Sequence, residues 1–330
     1  MRAVFFEEHG GPEVLRLGKI ATPSPAEGQM LVRVEACSLN HHDIFTRRGM
    51  PGITTPLPMV PGCDAAGTIA EMGDGVHGWR EGDRVLVDPL VGATGMIGDT
   101  HWGSCAEYVV VGADQLLPLP DDVDAVTAAC LPVAYGTSHR MLITRGQVQS
   151  GERVLILGAS GGVGTSCVLL AKMLGATVIA VSSSAEKCER LRELGADETI
   201  DTSVEDFVEY TRRTTGRLFA GGGYEVVVNN TGGDTWAPSL RCAKMGGRVL
   251  TCGATAGFDP KTDLRYIWTA ELDVRGSDGW RRDDLAALLD AVRDGRLRPV
   301  IDRVVPLAQA AEAHRLVQSS AHFGKVVLRV

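Results

Sequence analysis

The sequence predicts an α/β protein, in which a doubly wound parallel sheet is joined to a β-rich domain. Three observations carry this. Val154–Leu157 read as a short buried strand, and glycines then crowd the next turn at Gly158, Gly161, Gly162 and Gly164 before a helical pattern begins at Thr165. From about Ala125 onward strand and helix patterns alternate, as a parallel sheet requires. Before that point the chain carries short strands between turn signals, the pattern of a small barrel or sandwich.

The first third contains strand patterns at Met30–Ala36, Thr68–Ala70, Arg84–Val87 and Val109–Val111, with turns at Gly73–Gly75, Glu81–Asp83 and Gly112–Asp114. Leu117–Pro120 and the acidic run after it read as a crossing between domains. Strands of the second part are expected at 153–157, 177–181, 225–229, 247–252 and 271–275, and helices at 163–174, 185–194 and 235–244. A helix at 282–294, the stretch 298–306, a helix near 307–319 and a strand at 324–330 follow. These last elements lack the glycine-turn pattern and could return to the β-rich domain.

Composition narrows the function. At 330 residues the chain is long enough for two domains, and its net charge of −8 argues against nucleic acid or an anionic membrane as the main partner. The N-terminus lacks the apolar core of a signal peptide, and no uninterrupted apolar run approaches membrane-spanning length. Eight scattered cysteines without a C-x-x-C pair read as reduced, partly buried thiols of a cytoplasmic protein.

A strand, a glycine turn and a helix in that order make a phosphate site. Glycines let the backbone approach a pyrophosphate, and the helix N-terminus offers free N–H groups and partial positive charge. The expected cradle is Gly158, Ser160, Gly161, Gly162, Val163 and Gly164. In an NAD site the second strand ends in Asp or Glu, which holds the ribose hydroxyls. Here it runs into Ser182, Ser183 and Ser184, with Lys187 and Arg190 just beyond. Hydroxyls and a lysine suit a 2′-phosphate, which a carboxylate would repel, so the cofactor is expected to be NADPH. The ordinary alternative makes Lys187 and Arg190 the solvated face of a helix. Asn230–Gly233 and Cys252–Thr255 follow strands at their C-terminal ends, so Asn230, Thr231, Gly253 and Ala254 are expected to flank the cofactor.

These residues resemble the medium-chain dehydrogenase/reductase superfamily, and within it the zinc-independent quinone oxidoreductase and enoyl reductase branch. The resemblance runs end to end. It rests on Asn40-His-His-Asp43, Pro61-Gly-Cys-Asp-Ala-Ala-Gly67, Gly82-Asp-Arg-Val85, Ala159–Gly164, Gly246-Gly-Arg-Val249 and His322-Phe-Gly-Lys-Val-Val327. It implies a GroES-like catalytic domain over 1–123 and 280–330 and a Rossmann domain over 124–279, with the cofactor in the cleft. It also implies a homodimer paired through the strand near Leu272–Gly276. Thr137 resembles the nicotinamide-side contact. Lys325 is expected to reach phosphate or ribose, a surface position being its other reading.

In the alcohol dehydrogenase branch a catalytic zinc takes three ligands, and by resemblance those positions are Asn40, Cys63 and Val133 here. The stretch between Pro89 and Trp102, where that branch carries four cysteines, contains none. The expectation is a site without metal, the alternative being one rebuilt from Cys37, His41, His42 and Cys63.

Without a Lewis acid the substrate must already be primed for hydride, as quinones and α,β-unsaturated carbonyls are. The resemblance gives Asn40 and Asp43 roles in substrate and cofactor placement and sets His42 where alcohol dehydrogenases use a hydroxyl relay. An imidazole can both take up and give a proton, which suits His42 to proton transfer. Phe45 stands near a position where many relatives carry tyrosine, and it cannot donate a proton. Trp102, Trp268 and Trp280 are candidates for an apolar substrate pocket. Two other readings stay open: alcohol or carbonyl dehydrogenation, and an NADPH-binding protein without turnover.

Overall fold

Every strand pattern of the first third becomes a strand in the computed structural model, which describes residues 1–93 and 95–330. The first unit begins with the antiparallel pair β1 (Arg2–Phe5) and β2 (Arg16–Lys19), followed by β3 (Gln29–Leu39) and the short helix α1 (His41–Arg48). It continues through β4 (Ala65–Met72), β5 (Arg84–Val87), the small pair β6 (Leu90–Val91) and β7 (Gly95–Met96), then β8 (Tyr108–Gly112) and β9 (Leu116–Pro118). Helix α2 (Ala125–Ala129) packs against β3, β4 and β5. Asp124 starts it by accepting the Thr127 N–H at 2.9 Å.

Contiguous helical turns carry the chain from the first unit into the second: Leu131–Gly136, α3 (Thr137–His139) and Arg140–Arg145, the first and third being wide π-type turns. Strand–helix alternation then runs β10 (Arg153–Leu157), α4 (Gly162–Met173), β11 (Thr177–Ser182), α5 (Ala185–Glu193), β12 (Glu198–Asp201), α6 (Phe207–Thr215), β13 (Tyr224–Asn229), α7 (Trp236–Leu240), β14 (Ala243–Thr251), α8 (Leu264–Thr269) and β15 (Asp273–Gly276). Among the described residues these strands form one sheet in the order β12-β11-β10-β13-β14-β15, every pairing parallel. That is the 3-2-1-4-5-6 order of a doubly wound sheet, in which the order of strand addition reverses between β10 and β13.

After α9 (Arg282–Arg293) the chain returns to the first unit with β16 (Ile301–Pro306), α10 (Ala310–Gln318) and β17 (Lys325–Arg329). β17 pairs with β3, giving the order β16-β17-β3-β4-β5-β9 with β8 also on β3. Each unit buries its own apolar cluster. In the first, Val32, Val34, Val85 and Val109 of the sheet meet Ala313 and Val317 of α10. In the second, Leu155, Ile179, Val227 and Val249 form the center. Among the described residues no helix is long and apolar enough to cross a membrane.

The contact boundaries fall at 134/135 and 284/285, against the expected 123/124 and 279/280. The packing of α2 explains the first difference. The second follows from Asp284, whose carboxylate meets His139 at 2.7 Å. β12 and α6 were not expected. Conversely, the helix expected at 235–244 stops at Leu240, because β14 already begins at Ala243.

One buried cation fixes α1 in place. Arg47 is fully buried; its guanidinium donates to Gly10 O at 3.1 Å and Gln318 Oε1 at 2.5 Å, and lies 3.1 Å from His314 Nδ1. Burial, reinforced by Arg47, holds the His314 imidazole down at about 3. The unfolded chain therefore takes up this proton first. The stability that neutral His314 contributes is complete above its unfolded value near 6.5 and is lost as pH falls toward about 3. His314→Gln is expected to flatten the acid-side fall of thermal stability between pH 6.5 and 4, measured as Tm against pH; parallel curves for the two proteins would contradict this.

Candidate active site

In the first unit a buried polar cluster gathers where β3 ends and α1 begins. Asp64 is its center and has no exposed surface. Its Oδ2 accepts from Ser38 Oγ at 2.6 Å, from the Asn40 side-chain amide at 2.8 Å and from Lys325 Nζ at 3.3 Å. Its Oδ1 accepts the Val133 N–H at 2.9 Å. Lys325 Nζ also donates to Asn40 Oδ1 at 2.5 Å and Leu39 O at 2.9 Å. A buried carboxylate is tolerated when paired in this way.

Asp43 serves a different end. Its Oδ2 accepts the Asn40 N–H at 2.7 Å, starting α1, while Oδ1 accepts the Gly62 N–H at 3.1 Å and the Cys63 thiol at 3.5 Å. Burial raises its pKa. Burial, and then the carboxylates of Asp43, Asp64 and Asp99, hold the Cys63 thiol well above its usual range. Gly62 takes φ of +105°, and a Cβ there would press on Ser104 and the Cys105 backbone. The turn therefore requires glycine.

Of the three residues expected to be catalytic, His42 keeps the exposed edge. Its Nε2 lies 2.9 Å from Asp99 Oδ2, and 19% of its side chain is exposed. Asn40 and Asp43 are buried and their polar atoms are taken up inside the protein. Their hydrogen bonds hold the start of α1 and the turn at Gly62 in place. Lys325 is not a surface lysine: it is 2% exposed and paired with Asp64 within the first unit.

The residues of the rebuilt metal site are dispersed into other contacts. Cys37 Sγ lies 3.8 Å from Cys105 Sγ, and the His41 ring lies 6.4 Å from that of Phe45 and 6.3 Å from that of His322. Among the described residues no group of three or more His, Cys, Asp or Glu has metal-holding geometry. Of the tryptophans, Trp102 donates to Pro58 O, Trp268 is 63% exposed and Trp280 is buried.

In the second unit the glycine turn lies at the point where the sheet reverses. Leu157, the last residue of β10, is in register with Asn229, the last of β13. Asn229 is fully buried, and its Oδ1 accepts from Thr231 N at 3.0 Å and Gly232 N at 2.9 Å. That shapes the turn carrying Asn230 and Thr231 over Gly158. A Cβ on Gly158, at φ of +63°, would sit 2.9 Å from Thr231 Oγ1 and 3.2 Å from Asn230 Oδ1. A Cβ on Gly164 would strike the Gly158 and Ala159 backbone, so α4 starts tight against β10. A Cβ on Gly161, by contrast, would meet only the Gly158 carbonyl oxygen, in ordinary contact at 3.9 Å.

Ser138 Oγ donates to Val163 O at 3.2 Å, which pins buried Thr137 beside this turn. Ser160, Gly162 and Val163 are partly exposed around it, as Gly253 and Ala254 are after β14. At the end of β11, Ser182 Oγ is buried without a hydrogen-bond partner, and Ser183 is exposed. Ser184 is used locally, capping α5 by accepting the Lys187 N–H at 3.3 Å. Close-packed glycines at Gly158 and Gly164 and an orphaned hydroxyl fit a dinucleotide.

The chain matches the family described as "Alcohol dehydrogenase GroES-like domain" over residues 26–121 and "Zinc-binding dehydrogenase" over residues 162–294. It is 30% identical to the quinone oxidoreductase of Rattus norvegicus, over 99% of this chain and 97% of that one. This chain belongs to the medium-chain dehydrogenase/reductase superfamily, in its quinone oxidoreductase-like branch. Another member of the superfamily, the chloroplastic NADPH-dependent alkenal/one oxidoreductase of Arabidopsis thaliana, is 32% identical over 99% of this chain and 79% of its own. A solved NAD-dependent alcohol dehydrogenase superposes with a TM-score of 0.93 at 34% identity, covering 100% of both chains. The superfamily assignment makes the protein a pyridine-nucleotide oxidoreductase.

Asp64, Asp99 and Asn229 carry much of this geometry without a role read from sequence, and Lys325 carries it through a pairing with Asp64 and Asn40 that sequence reading missed. The available signals were a lysine heading the apolar run Val326–Leu328 and an aspartate heading Ala65–Ala66. Lys325→Met is expected to destabilize the protein by about 3–5 kcal/mol, because it leaves Asp64 buried and uncompensated. Adding Asp64→Asn should recover at least half of that loss in urea unfolding followed by tryptophan fluorescence. Strictly additive losses would show that the two groups do not depend on each other.

Proposed function

We propose that this protein is an NADPH-dependent reductase that delivers hydride to a quinone or an α,β-unsaturated carbonyl, without a metal. The observation that carries the reading is the state of the positions where alcohol dehydrogenases hold zinc. The Asn40 side chain is spent on Asp64 and Lys325, Cys63 is a buried thiol donating to Asp43, and Val133 offers only an aliphatic side chain. A catalytic zinc needs three protein ligands, and this donor set does not suit one. A carbonyl that no Lewis acid polarizes accepts hydride readily only when conjugation spreads the incoming charge. The quinone and alkenal/one oxidoreductases among the relatives support that substrate class.

The proposed cofactor contacts are Thr137, the Gly158–Gly164 turn, Ser182, Ser183, Lys187, Asn230, Thr231, Gly253 and Ala254. Bound there, the reduced nicotinamide supplies the hydride. Backbone N–H groups at the start of α4 would hold the pyrophosphate, with no side chain at Gly161 to obstruct them. The absence of a carboxylate at the end of β11, with the unpartnered Ser182 hydroxyl in its place, supports NADPH over NADH. His42, with its exposed edge, is the proton donor, while Asn40 and Asp43 hold the start of α1 beneath it. A homodimer formed through the edge strand β15 is part of the proposal.

NADPH oxidation against a panel of quinones, enones, enoyl thioesters and aldehydes tests this. The expected result is turnover of the conjugated acceptors with kcat/KM at least tenfold higher for NADPH than for NADH, and a reversal of that preference in Ser182→Asp. A preference for NADH, or turnover confined to simple aldehydes, would overturn it. His42→Ala should lower kcat at least tenfold with KM for NADPH little changed; an unchanged kcat would clear His42 of the role.

A further inference from the structure

We propose that Asp99 is a positioning residue for His42: its carboxylate fixes the imidazole with a proton on Nε2, so that Nδ1 is the edge that delivers a proton to the reduced product. The proton-delivery part rests on the function proposed above; the hold on the ring does not.

Four observations carry it. An ionized carboxylate can only accept a hydrogen bond, so the 2.9 Å contact between His42 Nε2 and Asp99 Oδ2 places a proton on Nε2. Asp99 is nearly inaccessible, its side chain being 3% exposed, and its Oδ1 is buried without a partner. The imidazole thus carries the compensation this buried anion needs, and a ring that gains positive charge is held more strongly still.

The third observation is the rigidity of the turn that presents Asp99. Gly98 N donates to His101 O at 2.7 Å, and Thr100 Oγ1 donates to Met96 O at 3.1 Å. Gly98 adopts φ of +86° with its backbone against Gly62, where a Cβ would come within 2.8 Å of the Gly62 carbonyl. Gly62 in turn donates to Asp43 in the first turn of α1, the same turn that carries His42. The carboxylate and the ring are therefore mounted on two sides of one close-packed joint. Fourth, the ring remains partly exposed although Nε2 is engaged.

The arrangement is that of a base oriented by a third group, in which the buried acid sets the tautomer and stabilizes the imidazolium. When bound, the reduced nicotinamide would supply a hydride to the electron-poor carbon of the conjugated acceptor, leaving negative charge on its oxygen. The N–H bond at His42 Nδ1 breaks as its proton passes to that product. His42 is left neutral, still donating from Nε2 to Asp99, and regains a proton from water. The acceptor is reduced by two electrons and the nicotinamide oxidized by two.

The test combines nitrogen NMR of 15N-histidine-labelled protein with kinetics of Asp99→Asn. In the unmodified protein without nucleotide, neutral His42 is expected as the Nε2–H tautomer; an Nδ1–H tautomer overturns the proposal without any variant having to fold. In Asp99→Asn, whose folding is checked by Tm, His42 should lose its single tautomer. Its kcat should fall about 10- to 100-fold while KM for NADPH and acceptor stays within about threefold. An Asp99→Asn protein with wild-type tautomer and kcat within twofold of wild type would also overturn it. Should the unmodified protein turn over no quinone or enone, the proposed function fails, and the tautomer measurement still decides whether Asp99 fixes His42.

Discussion

The first unit depends on one buried anion. Asp64 collects hydrogen bonds from Ser38 at the end of β3, from Asn40 at the start of α1, from Lys325 at the start of β17 and from the backbone of Val133. These donors are distant in sequence, and the charge that joins them cannot be left unpaired in an apolar interior. Their geometry is therefore set together. Asn40 is fixed at both ends of its amide, and α1 leaves it at a defined angle, with Arg47 securing the other end of the helix. His42, one residue before Asp43, is carried to the surface of this frame without belonging to its interior.

The second unit solves a different problem with backbone. At the point where the sheet reverses, the β10 and β13 turns are shaped by missing side chains at Gly158 and Gly164 and by the buried amide of Asn229. Little side-chain chemistry is needed, because a pyrophosphate is met by N–H groups. The proposed choice of nucleotide is then left to the end of β11. Ser184 there belongs to the α5 cap, while Ser182 Oγ is buried without a hydrogen-bond partner and Ser183 is exposed.

What the sequence makes legible follows local rules. The glycine turn, the strands at 153–157 and 177–181, the helix after each and the terminal strand at 324–330 all come out within a residue or so, since periodicity and glycine placement dictate them. β12 escaped because Glu198-Thr-Ile-Asp201 is a polar edge strand with one buried residue, Ile200, and α6 because its nine residues include four threonines or valines. At the site, Asn40 and His42 could be found from their motif, but their partners could not. Asp99 reaches His42 across 57 residues and Lys325 reaches Asn40 across 285. A lone lysine in a strand reads as a surface residue until a buried carboxylate is known to face it. Long-range pairing of charge is a property of the fold, and no local window contains it.

The central claim is that the chemistry proceeds from these side chains and a nicotinamide, with no metal at Cys63. Turnover of a conjugated acceptor after exhaustive dialysis against a strong chelator, with metal content measured on the same sample, tests it most directly. The account predicts undiminished kcat with far less than one metal ion per chain. Stoichiometric zinc whose removal abolishes turnover, and whose return restores it, would contradict it.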